Sequence, residues 1–157
     1  MKEEYVNAFL APAKLVWEKE LGCPLDIAGA EAVSNQFTTE EITAIIGVSG
    51  RLEGNVLYGF SNGTALSVAS QMIGEPVSDL DDLGLSALGE IANMITGNAA
   101  TRLAAAGYTC DISPPVIIEP AGSRFTTPGG KQILVTFASK LGNLNVRISL
   151  NESTRSG

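Results

Sequence analysis

The residues best suited to chemistry lie in the segment SALGEIANMITGNA, residues 86–99. The segment has the length and composition of a helix, yet it carries Glu90 and Asn93 three positions apart and Gly97 four positions further on. A carboxylate can act as a base or pair with a cation, whereas an amide can only accept and donate hydrogen bonds. Such a pair can orient a water for hydrolysis when the substrate brings its own metal and electrophile, as in phosphoryl transfer by positioning.

Helical periodicity places these polar residues together, on the side of the helix that faces away from the core. At about 100° per residue, the helix predicted over residues 82–106 has an apolar sector that must face a sheet. The apolar sector comprises Leu88, Ile91, Ala92, Ile95, Ala99 and Leu103. The opposite face comprises Ser86, Glu90, Asn93, Gly97 and Ala104.

The small residues around this pair favour docking of another protein. Gly97 costs the helix about 0.5–1 kcal/mol relative to alanine, which is reasonable if a Cβ there would obstruct a partner. From these residues alone, an ordinary exposed face with little charge remains the alternative.

Composition excludes several classes of function. The chain has 157 residues, 45% of them apolar and 17% charged, which is typical of one folded domain. Its net charge of −7 and lack of a basic cluster argue against binding to nucleic acid or anionic membranes. No histidine occurs, so catalysis or metal ligation by histidine is excluded. Cys23 and Cys110 form no CxxC pair, and no signal peptide or membrane span is predicted, which favours a cytoplasmic protein.

The remaining elements follow from periodicity and from turn residues. Helices are predicted over residues 3–21 and 61–74, and hairpins over residues 41–61 and 131–151. Residues 111–120 are predicted to be extended because of their prolines, residues 121–130 to form a loop, and residues 153–157 to form a frayed tail.

The order of these elements indicates two similar halves, about 1–76 and 77–152, within a single domain over residues 1–152. Each half has a long helix and a hairpin, and Glu4 and Asn7 align with Glu90 and Asn93, with Ala11 in the place of Gly97. The predicted class is therefore α+β, with two layers: a mostly antiparallel sheet and the long helices that cover one face.

The pattern Ser86-x-x-x-Glu90-x-x-Asn93-x-x-x-Gly97, followed by Ser113-Pro114-Pro115, resembles the CheC/CheX/FliY family of bacterial chemotaxis phosphatases. The opening residues Glu4–Phe9 resemble those of the CheX branch. The resemblance implies a CheC-like fold and hydrolysis of the aspartyl phosphate of a CheY-like response regulator. It further implies that Asn93 orients the attacking water, that Glu90 pairs with a lysine of the regulator, and that Ser86 and Gly97 belong to the docking face.

The resemblance also carries expectations about cofactors and assembly. It implies no cofactor or metal site in this chain, with Mg²⁺ carried by the regulator, and a homodimer. CheX-type proteins have one active motif, so Asn7, near a helix start, is expected to serve in capping or packing.

Two alternatives stay open. The chain could be a non-catalytic module that binds a response regulator or a flagellar switch component. It could also act on a different phosphorelay partner.

Overall fold

A computed structural model describes residues 1–39, 41–119, 124–127 and 130–153. The helices in this part of the chain are α1 (Glu3–Leu21), α2 (Asn62–Ile73) and α3 (Asp82–Ala105). The strands there are β1 (Asp26–Val33), β2 (Gln36–Thr38), β3 (Ile42–Gly50), β4 (Leu52–Phe60), β5 (Cys110–Ile112), β6 (Val116–Ile118), β7 (Arg124–Thr126), β8 (Gln132–Ser139) and β9 (Gly142–Glu152).

The main sheet has the strand order β1-β8-β9-β4-β3-β5, with β6 also paired to β3, and β2 pairs with β7 in a separate ribbon. Every pair is antiparallel. The order is symmetric about the central β4–β9 pair, and each hairpin takes its outer neighbour from the other half of the chain. The predicted α+β class with a mostly antiparallel sheet is confirmed. Because each half contributes one strand to the other half's hairpin, neither half forms its part of the sheet from its own strands.

The helices pack on one face of the sheet, where apolar residues of the central strands are buried. Residues of β4 and β9 that point to the helices are fully buried, among them Val56, Tyr58 and Ile148. Trp17 of α1 is also fully buried in this core, together with the apolar sector of α3. The core therefore fills the space between the sheet and the helices.

The ends of the helices lie close to their predicted positions. Gly22 has a φ of 73° after α1, the left-handed conformation that glycine adopts most easily. The Asp81 carboxylate accepts a hydrogen bond from the Gly84 N–H at 2.9 Å, which caps the N-terminus of α3. The predicted helix over residues 82–106 is thus confirmed to within one residue.

Three local predictions were incomplete or wrong. The strand β1 was not predicted, because its sequence DIAGAEAV is rich in small residues and almost all its side chains are exposed. The predicted loop over residues 121–130 contains β7, which pairs with β2. Ser153 is not part of a frayed tail, because its N–H donates to the Arg51 carbonyl and its hydroxyl to Glu53. The rest of that tail, residues 154–157, lies outside the described residues, as do 121–123 and 128–129.

A buried hydrogen bond joins α3 to the centre of the sheet. The Tyr58 hydroxyl of β4 lies 2.7 Å from Thr96 Oγ1 of α3. Thr96 itself donates to the Ala92 carbonyl at 2.8 Å, so Tyr58 is the donor to Thr96. Burial raises the pKa of the Tyr58 hydroxyl well above its ordinary value. Losing or ionising this group therefore costs stability at the helix that carries Glu90 and Asn93.

We expect Tyr58→Phe to lower the free energy of unfolding by about 1 kcal/mol, because it removes a buried hydrogen bond and leaves the ring in place. Urea denaturation measures the change. Because burial favours the neutral hydroxyl, its contribution is present below a pH of about 10 and is lost as the pH rises beyond that value. The fall in stability above pH 10 should therefore be shallower in Tyr58→Phe.

The matched control is Tyr108→Phe, which removes a hydroxyl whose hydrogen bonds to Lys2 and Glu4 are exposed. Its effect on unfolding should be smaller. An equal loss in the two variants would contradict a special role for the Tyr58–Thr96 bond.

Candidate functional site

The site is built on the face of α3 that points away from the sheet. The residues predicted to form its apolar sector are all at most 2% exposed: Leu88, Ile91, Ala92, Ile95, Ala99 and Leu103. On the opposite face, Ser86, Glu90, Asn93 and Ala104 are exposed, and Gly97 is half-buried. The predicted orientation of the helix is confirmed.

Glu90 and Asn93 lie close together, and neither side chain is held by another group of the described chain. Three residues apart on one helix, they lie one turn from each other, with Asn93 roughly 4.5 Å further along the axis. Within the described part of the chain, neither side chain forms a hydrogen bond or ion pair. Glu90 is also the one charged residue of α3 between Asp82 and Arg102. Both side chains are therefore free to meet groups on another molecule.

The pair that aligns with them in α1 has different surroundings. The Glu4 carboxylate accepts a hydrogen bond of 2.7 Å from the Tyr108 hydroxyl, which follows the C-terminal end of α3. Asn7 lines an apolar groove between α1 and β1, beside Leu10. Lys2 is the N-cap of α1, so the expected capping role of Asn7 is not found. The match in sequence does not reproduce the free carboxylate of Glu90.

A segment after α3 supports one flank of the site. The Ser113 N–H donates to the Gly47 carbonyl at 2.9 Å, and the Gly47 N–H donates to Ser113 Oγ at 2.8 Å. These two bonds fix Ser113 to β3, and Pro115 then packs on α3 at Gly89. Pro115 therefore lies against α3 at Gly89, the residue that precedes Glu90.

Two glycines of α3 have opposite surroundings. A Cβ on Gly89 would lie 3.2 Å from Pro115 Cγ, closer than most real contacts, and 3.7 Å from Ile117 Cδ1, an ordinary contact distance. A Cβ on Gly97 would meet Ile112 Cδ1 at 4.0 Å and no other atom outside its own helix. Gly89 permits packing within the protein, whereas Gly97 leaves the outer face low. The sequence analysis missed Gly89, since nothing in the sequence showed that Pro115 lies against it.

The outer face of α3 carries few groups that could take part in chemistry. In the described ranges, no three His, Cys, Asp or Glu side chains are grouped as a metal site. No helix there is both long enough and apolar enough to cross a membrane. The free thiols are a buried Cys23 and a half-buried Cys110, and burial raises the pKa of Cys110. Near its middle, the exposed stripe of α3 presents the Glu90 carboxylate and the Asn93 amide.

The contrast between the glycines gives a stability test. Gly97→Ala should raise the free energy of unfolding by roughly 0.5–1 kcal/mol, because alanine is the better helix former and finds space there. Gly89→Ala gains the same propensity but must displace Pro115, which is held by the Ser113 bonds. We expect it to be less stable than Gly97→Ala by about 1 kcal/mol or more. Thermal or urea unfolding measures both variants. Equal stabilities would show that Pro115 moves away from the new methyl group at no cost in free energy.

Comparisons with known proteins place this geometry in a family. Residues 42–139 match the family model described as "Chemotaxis phosphatase CheX". The chain is 34% identical over 119 residues to the CheY-P phosphatase CheX of Thermotoga maritima, covering 75% of this chain and 77% of the relative. The crystal structure of the chemotaxis protein CheX from Vibrio vulnificus superposes with a TM-score of 0.84 at 28% identity, covering 94% of this chain and 99% of that one.

A further structure shows a relative with a partner. The CheX–CheY–BeF₃–Mg complex from Borrelia burgdorferi contains a chain that superposes with a TM-score of 0.76 at 27% identity, covering 94% of this chain and 98% of that one. Because the family model covers residues 42–139 and the Thermotoga relative is 34% identical over 75% of this chain, this protein belongs to the chemotaxis phosphatase CheX family.

Proposed function

We propose that this protein is a phosphatase that docks on a phosphorylated CheY-type response regulator and hydrolyses its aspartyl phosphate. The proposal depends on the Glu90–Asn93 pair, which is exposed on the outer face of α3 and has no hydrogen-bond partner in the described part of the chain. Its membership of the CheX family and its likeness to a CheX protein in complex with CheY support the same conclusion.

In this mechanism Asn93 positions the attacking water. The Asn93 side chain enters the receiver's active site, and its amide oxygen accepts a hydrogen bond from that water. The water oxygen attacks phosphorus, the bond from phosphorus to the aspartyl oxygen breaks, and the products are a free carboxylate and inorganic phosphate. Asn93 takes up no proton, so its contribution is orientation and the exclusion of other water geometries.

Glu90 and its small neighbours serve docking. The Glu90 carboxylate pairs with a lysine of the receiver, and the low side chains at Ser86 and Gly97 let the receiver approach the helix. The Mg²⁺ that neutralises charge on the phosphoryl group arrives with the receiver as part of the substrate. Homodimer formation also stays a prediction.

Asn93→Ala is expected to reduce stimulated dephosphorylation by about 100-fold or more, because the water loses its positioning group. The exposed position of Asn93 predicts an unchanged melting temperature. The decay of a phosphorylated CheY-type receiver, followed with and without the variant, measures the effect.

Asn7→Ala is the matched control, since Asn7 is also exposed and also stands three residues after a glutamate. It should retain the activity of the wild type. Loss of activity in Asn7→Ala, or wild-type activity in Asn93→Ala, would contradict the assignment. Binding of the receiver without any hydrolysis by the wild type would instead support a non-catalytic docking module.

Glu90→Ala is expected to weaken receiver binding, with a cost of about 2–5 kcal/mol if the pair with lysine is desolvated and less at an exposed rim. A titration of the receiver at two salt concentrations separates these cases, since an exposed pair is screened by salt. Glu31→Ala controls for net charge because Glu31 is exposed on β1, at the opposite edge of the sheet from β5. If both variants bind alike, Glu90 makes no specific contact.

A further inference from the structure

An apolar groove lies between α1 and β1, at the edge of the main sheet that is remote from β5. Its volume is about 320 Å³. Val6 and Leu10 of α1 form one wall, and Ile27, Ala30 and Ala32 of β1 form the other. The groove is large enough to receive side chains of another molecule.

The small residues of β1 create this groove. Ala30 pairs with Val135 of β8, and Ala32 pairs with Ile133. Residues that are directly opposite in antiparallel strands point to the same face of the sheet. Val135 is buried in the core, so both alanines face the helices. An alanine leaves unfilled the space that a larger side chain would occupy against α1, and Ile27 in the same strand stays 43% exposed.

The groove runs beside a free edge of the sheet. In the described part of the chain, β1 pairs with β8 alone and stands at the end of the strand order. Alternate backbone N–H and C=O groups of such a strand point away from its one partner. The register shifts between Ile27 and Gly29, but residues 29–33 pair with β8 without interruption. The regular part of β1 therefore offers backbone hydrogen bonds along the groove.

Charge distinguishes between the possible occupants of the groove. Its charged lining residues are Glu3 and Glu31, which are exposed and form no ion pair within the described ranges. A second copy of this chain would bring its own Asp26 and Glu31 to the same edge, and like charges on paired strands are destabilising. The net charge of −7 adds to that repulsion. A segment that carries lysine or arginine is attracted instead.

We propose that this groove binds an extended, basic segment of a partner protein by addition of a strand to β1. Backbone hydrogen bonds to the free edge supply affinity, and alternate side chains of the segment enter the groove beside Leu10 and Ala30. A lysine or arginine of the segment lies against Glu3 and Glu31. The groove shares no residue with the outer face of α3, so the inference does not depend on the proposed phosphatase activity.

The probe for the test is a short, fluorescently labelled peptide of alternating valine and threonine, with a lysine at each end and both termini blocked. Fluorescence anisotropy measures its Kd for the full chain at two salt concentrations. We expect binding that weakens as salt rises, because salt screens the contacts of lysine with Glu3 and Glu31. Hydrogen exchange of the β1 amides should slow on binding, since those amides become hydrogen-bonded to the peptide.

Changes in the peptide test the charge and the strand pairing separately. The same peptide with glutamate in place of both lysines should bind about tenfold more weakly. Methylation of alternate backbone nitrogens removes the hydrogen bonds on one side of an extended peptide. Of the two peptides methylated at opposite sets of residues, one should lose binding and the other should retain it.

Changes in the protein test the location of the site. Glu31→Gln should raise Kd by about threefold, as expected for an exposed ion pair. Glu18→Gln removes the same charge from an exposed position of α1 outside the groove and should leave Kd unchanged. Ala30→Phe fills the groove and should raise Kd by about tenfold or more. Melting curves verify that the variants fold, which their exposed positions predict.

Three results would overturn the inference: no binding of the lysine peptide to the wild type, equal binding of the lysine and glutamate peptides, or equal effects of Glu31→Gln and Glu18→Gln. Sedimentation that shows a dimer in the wild type and a monomer in Ala30→Phe would assign the groove to a second copy, which also contradicts it. Dephosphorylation of a CheY-type receiver should be unchanged in Ala30→Phe. A failure of peptide binding therefore leaves the proposed phosphatase standing, and a failure of catalysis leaves the groove standing.

Discussion

The site depends first on the way α3 is seated on the sheet. A helix with one apolar sector can turn only one way when that sector is buried, and the sector of α3 is buried almost completely. The hydrogen bond from Tyr58 to Thr96 further fixes the rotation of α3 about its axis, because a buried hydroxyl without its partner would be costly. Rotation of α3 would break that bond and expose apolar surface together. The outward orientation of Glu90 and Asn93 is therefore a consequence of the core beneath them.

The surroundings of α3 then decide what the outer face can receive. The rigid Ser113–Pro115 segment, tied to Gly47 of β3, borders the helix on one side. Gly89 lets Pro115 pack closely against α3, whereas Gly97 leaves the outer surface of the helix without a side chain. A convex face of this kind suits insertion into a cavity of another protein better than enclosure of a small ligand.

Elements whose buried residues repeat with a regular period could be predicted from the sequence, and elements without such a repeat could not. The face of α3 could be predicted because its apolar residues repeat with the helical period. The first hairpin could be predicted from its β-forming residues and the closing hairpin from the alternation of its strands. The strand β1 could not, since its small residues are exposed on nearly every position and give no alternation. Gly89 could not be recognised either, because its importance rests on the packing of Pro115 against it. Such contacts join residues far apart in the chain, and no local pattern records them.

The symmetry of the fold makes the difference between its two halves informative. From either edge of the sheet inward, a lone strand is followed by a hairpin from the other half of the chain. The helices α1 and α3 pack side by side and have matching Glu-x-x-Asn sequences. Yet Tyr108, just after α3, donates its hydroxyl to Glu4, and the Tyr5 ring packs edge-on against Tyr108 with centroids 5.1 Å apart. The bond occupies one oxygen of the Glu4 carboxylate and orients the group, and a carboxylate has acceptor sites on both oxygens. Glu90 forms no such hydrogen bond in the described part of the chain, so the two similar pairs differ in whether a neighbouring side chain orients the carboxylate.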